Sequence, residues 1–225
     1  MSVTEVLGYI FRFIYSFTHD YGIAIVVFTV LIKAILLPFS FQQFHSMKKM
    51  SDIQPLIAKL QEKYKNDKDK LNQEIMKVYQ ENKVNPLGCG LPIIISFIIL
   101  VPMYNLLRVY PEFKGVPFMW LPDLSRPDPT FILPVLTGIT MYISSITATP
   151  PGAAQNTAQN KSMSIFMSIF FAWMTINFPS GLAVYWIVSN IFQIVQQLIF
   201  IRMLYKGIGE DAVAVSSVKK DSKGK

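Results

Sequence analysis

The sequence predicts an all-α membrane protein with five transmembrane helices, a cytoplasmic two-helix hairpin and an N-terminal interfacial helix. Of its 225 residues, 52% are hydrophobic and only 16% are charged, against about 25% charged in soluble domains. The apolar residues gather into five long runs, none of which contains an aspartate or glutamate. The basic residues, in turn, are distributed unequally between the connections that link those runs.

Residues 1–21 carry Val3, Val6, Leu7, Ile10, Phe11, Phe13, Ile14 and Phe17 on one broad helical face. They lack the basic start and small-residue cleavage site of a secretory signal, so an interfacial helix fits them best. Residues 22–44 form the first predicted span, interrupted by Thr29, Lys33 and Pro38. Residues 45–85 read as a hairpin: Met47, Met50, Ile53, Ile57, Leu60 and Tyr64 recur at threes and fours, as do Leu71, Ile75, Val78 and Tyr79. Asn66-Asp67 supplies the turn between the two arms. Pro55 predicts a kink or a late helix start in the first arm. The nine lysines and six acids of the hairpin suit either a solvated face or a partner-binding surface.

Residues 86–206 hold the other four spans: Leu91–Leu107, Phe131–Ile146, Met163–Phe178 and Leu182–Met203. The third and fourth spans are short against the roughly 20 residues that cross a bilayer core. Pro179, Ser180 and Gly181 alone separate the last two. The stretch from Pro111 to Pro129, with Phe118 and Trp120, suits the outer interface. Residues 207–225 are polar, small and basic, and predict a disordered tail. Sixteen lysines and arginines fall on the hairpin side and four on the other. With five spans, this charge bias puts the N-terminus outside and the C-terminus in the cytoplasm.

Lys33 is the most informative position. About eleven residues lie on either side of it within the first span, which sets its backbone roughly 16 Å from each edge of the apolar run. A charge at that depth costs at least ~2.5–3.5 kcal/mol. Lys33 must therefore face a bundle interior or a wet cavity, and no span offers it a carboxylate. Hydroxyls and amides remain: Thr29 one turn away, Ser96 in the second span, and a stripe in the fifth. That stripe comprises Tyr185, Trp186, Ser189, Asn190, Gln193, Gln196 and Gln197, within an arc of roughly 140° at 100° per residue. Interhelical hydrogen bonding explains such a stripe; the stripe together with an uncompensated cation points to a hydrated groove. Met163, Met167 and Met174 among the aromatic residues of the fourth span suit either gap-filling or a surface for varied apolar partners.

No GxxxxGK[ST] phosphate loop occurs. His19 and His45 lie at opposite ends of the first span, too far apart to share a metal, and Cys89 is alone. No cofactor is expected and an enzyme is disfavoured. A small solute transporter or channel with an intramembrane cation site is the main alternative, though it usually shows an internal repeat. A structural scaffold is a third reading.

Several motifs resemble the YidC family of membrane protein insertases. They are Gly22-Ile23-Ala24-Ile25 through Thr29, Lys33 and Leu36-Leu37-Pro38; Ile53-Gln54-Pro55 with Leu60-Gln61-Glu62-Lys63-Tyr64; and Asn85-Pro86-Leu87-Gly88-Cys89-Gly90-Leu91-Pro92. Phe118-Met119-Trp120-Leu121-Pro122-Asp123-Leu124-Ser125 and Pro179-Ser180-Gly181-Leu182-Ala183-Val184-Tyr185-Trp186 follow in the same order. The resemblance implies a five-helix core whose groove opens to cytoplasm and lipid but is closed outside, and the short form found in single-membrane bacteria. It also implies insertion of client proteins without nucleotide hydrolysis. Nascent membrane proteins and the lipid bilayer are the implied partners; a ribosome reached through the basic tail and a protein translocon are further candidates. Where the family commonly has arginine, this chain has Lys33, which keeps the charge but loses the planar fork. Ser96 and Ile98 likewise stand where glutamine and proline are common.

Overall fold

The computed structural model describes the backbone of residues 3–84, 91–109, 111–148 and 158–221, with side chains described in these except at 3, 91–98, 109, 158–160 and 204–221. Among them every extended regular element is a helix; one isolated bridge joins Phe118 and Leu121.

Helix α1 (Val3–Thr18) buries Leu7, Phe11 and Ile14, which share one face, and exposes Phe13 and Phe17 on the other. It ends where His19 adopts a left-handed φ of 52°, and the Asp20 carboxylate accepts the Ile23 N–H at 3.0 Å. This cap starts α2 (Tyr21–Ile35), turned 117° from α1. Two ring contacts hold the corner, Phe11 on Phe28 at 4.6 Å and Tyr15 stacked on Tyr21 at 4.1 Å.

The predicted first span, 22–44, is not one helix. It divides at Leu36, and α3 runs from Leu37 to Lys63, carrying the remainder of the span into the first hairpin arm. The cause is Pro38, in the first turn of α3, whose ring has no N–H to give and crowds the preceding turn. Pro55, by contrast, produces neither a break nor a late start, since α3 is helical through it. After a turn over 64–66, the Asp67 carboxylate accepts the Lys70 N–H at 3.0 Å and starts α4 (Lys68–Glu81). Helix α4 doubles back on α3, and Ile53 and Ile57 meet Val78 and Val84 in a small separate core.

Helix α5 (Leu91–Val109) leads through a short 3-10 turn (Pro111–Phe113) into an irregular segment. Helices α6 (Ile132–Ala148), α7 (Ala158–Thr175) and α8 (Ser180–Asp221) follow. Helix α6 packs on both α7 and α8, and α2 packs on α8. By length and apolarity one described helix, α8 over Ser180–Met203, suffices alone to cross a membrane; α1 and α2 qualify only as a bent pair. The segments expected at 91–107, 131–146 and 163–178 are the helices α5, α6 and α7, of 19, 17 and 18 residues. The disordered tail expected from Gly207 is not observed as such, because α8 stays helical to Asp221. No proline interrupts it, and extending an existing helix costs far less than nucleating one.

The segment between α5 and α6 is fastened to the bundle. Phe113, Leu121 and Leu124 are buried in the main core beside Ile25, Leu107 and Leu182. The first N–H groups of α8, which have no intrahelical acceptor, are satisfied here: Ser180 N–H donates to Arg126 O at 2.7 Å and Gly181 N–H to Leu124 O at 2.9 Å. Gly22 and Gly181 permit this closeness. A Cβ on Gly22 would lie 2.0 Å from the Phe118 ring, and one on Gly181 would lie 2.9 Å from Leu107 Cδ2. The motif around Cys89, residues 85–90, lies outside the described residues.

Candidate functional site

A cleft of about 100 Å³ opens where α2, α3 and α8 meet. Lys33 and Leu36 line it from the end of α2, and Ser40, Gln43 and Met47 from α3. These positions recur at threes and fours, so one helical face continues across the break at Leu36. Gln193, Gln196 and Gln197 of α8 form the opposite wall, with Phe39, Phe44 and Phe200 as apolar lining. Phe44 and Phe200 pack at 5.7 Å between centroids and close one side.

Lys33 is half-buried. Among the described residues no carboxylate lies within ion-pairing distance of it. Its polar company in the cleft is one hydroxyl and four amides, groups that solvate an ammonium without neutralising it. Such a cleft can hold a cation together with water and attract acidic or carbonyl-bearing chain.

The predicted site residues divide into groups. Lys33 and Gln193 line the cleft from opposite helices. Thr29 is fully buried, and its hydroxyl donates to Ile25 O of its own helix at 2.6 Å. Tyr185 is buried in the main core. Trp186 packs edge-on against Phe171 of α7 at 4.6 Å. Asn190 is buried and donates to Thr140 Oγ1 of α6 at 3.3 Å, and Ser189 is buried beside it in sequence. The polar stripe is therefore shared: its N-terminal part, Tyr185 to Asn190, serves packing, and Gln193, Gln196 and Gln197 line the cleft. The Ser96 side chain lies outside the described residues. Sequence reasoning missed Ser40, Gln43 and Met47. Their spacing of seven, ten and fourteen from Lys33 was the available signal, obscured by Pro38.

Comparisons with known proteins identify the family of the chain. The model of the 60Kd inner membrane protein family matches residues 13–207. A membrane protein insertase YidC of Caldanaerobacter subterraneus is 47% identical over 201 residues, covering 89% of this chain and 95% of its own length. The chain belongs to the YidC family. A second YidC insertase, from Clostridium perfringens, is 41% identical and covered over 87% of its length. One from Geobacter metallireducens is 40% identical but is covered over only 34% of its length. The chain thus spans nearly all of some YidC proteins and about a third of others. Among solved structures, an active YidC insertase with its first transmembrane domain resolved superposes with a TM-score of 0.70 at 27% identity, over 86% of this chain and 45% of that one. Membership in the YidC family makes the chain a multi-pass protein of the bacterial plasma membrane.

Proposed function

We propose that this chain inserts client proteins into the plasma membrane by receiving their polar segments in the Lys33 cleft, without nucleotide hydrolysis. The observation that carries the reading is a half-buried lysine set among amides and a hydroxyl, with no carboxylate partner among the described residues. A cation held in this way favours acidic segments and keeps water part-way into the bilayer, which lowers the barrier to moving a hydrophilic stretch across. Partition of the client's apolar helix into lipid then drives insertion, at roughly 25 cal/mol per Å² of apolar surface removed from water.

In this reading α2 with the start of α3, α5, α6, α7 and the first part of α8 are five spans. The α3–α4 pair stands in the cytoplasm, the N-terminus lies outside and the C-terminus inside. The domain division follows: interfacial helix 1–21, first span 22–44, hairpin 45–85, remaining spans 86–206 and basic tail 207–225. Lysine placement supports this orientation. Exposed apolar residues on α6, α7 and α8, such as Ile139, Ile169, Phe170, Val195 and Leu198, support lipid contact, because a soluble surface seldom carries so many large apolar side chains close together. The helices of 15 to 18 residues suit a locally thinned bilayer. The basic tail is suited to ribosomal RNA, and a translocon is a further partner. The test is purified protein in liposomes with a single-span client and no ATP. Protease protection of the translocated tail is the expected result, and its absence refutes the reading.

A further inference from the structure

We infer that Thr147 of α6, which does not line the cleft, is a positioning residue that fixes which end of the Gln197 amide the cleft presents. The inference rests on the cleft being the client site. Helices α6 and α8 contact each other through polar pairs in step: Asn190 with Thr140 at 3.3 Å, and seven residues further along both helices Thr147 with Gln197 at 3.1 Å. Equal increments on the two helices mean that they run parallel in a heptad register, which returns the same face every two turns. Gln197 stands where that seam meets the cleft. It is 7% exposed and lines the same space as Lys33.

A threonine hydroxyl has a single proton to give. Thr147 Oγ1 lies 2.9 Å from Ile143 O, 3.1 Å from Ser144 O and 3.1 Å from Gln197 Oε1. With an amide oxygen at that distance the proton belongs between the two oxygens, since otherwise lone pairs face each other. The bond ties the carbonyl half of the amide to α6, which leaves the Gln197 NH2 as the half available to the cleft. The cleft then offers a second donor beside the Lys33 ammonium. Client carboxylates and backbone carbonyls are the groups that such a pair recognises. Without the Thr147 hydroxyl the amide can rotate and present its oxygen, an acceptor that repels those same groups.

The experiment uses the full chain in liposomes with two single-span clients that differ only in an acidic or a neutral N-terminal tail. Thr147→Val, close in shape but lacking the hydroxyl, is expected to lower the acidic-over-neutral insertion ratio about fivefold, the size of one lost hydrogen bond. Thr147→Ser restores the ratio. Gln197→Leu lowers it comparably, and Thr147→Val then adds nothing. The ratio of the two clients separates positioning from general damage: equal loss for both, an unchanged ratio, or no rescue by serine overturns the inference. If the unmodified protein does not distinguish the clients, the charge-based reading of the cleft falls together with this one. If it does, and Thr147→Val distinguishes them equally well, only the role of Thr147 is lost.

Discussion

Lys33 and Gly22 illustrate two ways in which one residue acts in this chain, the first through charge and the second through the absence of a side chain. Lys33 needs polar company that is not ionised, and the cleft gives it Ser40, Gln43, Gln193, Gln196 and Gln197. Lys33→Arg should retain insertion. Lys33→Glu should impair clients with acidic tails more than neutral ones in a protease-protection assay, and equal insertion by the wild type and Lys33→Glu would defeat charge attraction. Gly22 leaves room for Phe118, whose ring occupies the place of a Cβ at 2.0 Å. Gly22→Ala should therefore displace Phe118 and lower the thermal midpoint in detergent. The double variant Gly22→Ala with Phe118→Ala should recover part of that loss; no recovery would mean that the clash lies elsewhere.

At the scale of elements, the joints are set by caps and prolines. Pro38 divides the first span, and Asp20 and Asp67 start α2 and α4 by accepting N–H groups three residues on. Asp128 holds the start of α6 more tightly. It is buried and accepts the Thr130 N–H at 2.9 Å, the Thr130 hydroxyl at 2.6 Å and the Leu133 N–H at 2.7 Å. Burial alone would raise its pKa, but the hydrogen bonds from Thr130 and Leu133 outweigh it and hold the carboxyl below its ordinary value. Because the folded value is the lower one, the contribution to stability is complete above the unfolded value of about 4 and is lost as the pH falls through the folded value. Thermal unfolding in detergent should show the unmodified protein losing more stability than Asp128→Asn between neutral pH and pH values below about 4. Parallel curves would remove Asp128 from the acid response.

At the scale of the whole molecule, the placement of basic residues predicts the orientation in the membrane. The excess of basic residues in the α3–α4 pair and the tail predicts that cysteines placed there are labelled only from the cytoplasm. Cysteines placed at Ser2 or Met119 should be labelled only from outside. Labelling of both groups from one side would refute the five-span arrangement.

Much of this architecture was legible along the chain. Apolar runs located α5 and α6 and the starts of α2 and α8 closely, but not the end of α2 at Ile35 or of α8 at Asp221, and periods of three and four located the packed parts of α3 and α4, because burial writes its period directly into the pattern. The place of Lys33 within an apolar run and the absence of carboxylates from those runs were equally visible, being properties of order along the chain. The C-terminal helix to Asp221 was not, since continuation of a formed helix leaves little compositional trace in a polar stretch. Only the tertiary structure decided how the polar stripe of α8 is divided. Packing against α6 and α7 takes Asn190 and Trp186, while the face that continues past Leu36 through Ser40, Gln43 and Met47 lines the cleft with Lys33 and the glutamines. A sequence states which residues share a face; which neighbour that face meets depends on contacts between segments far apart in the chain.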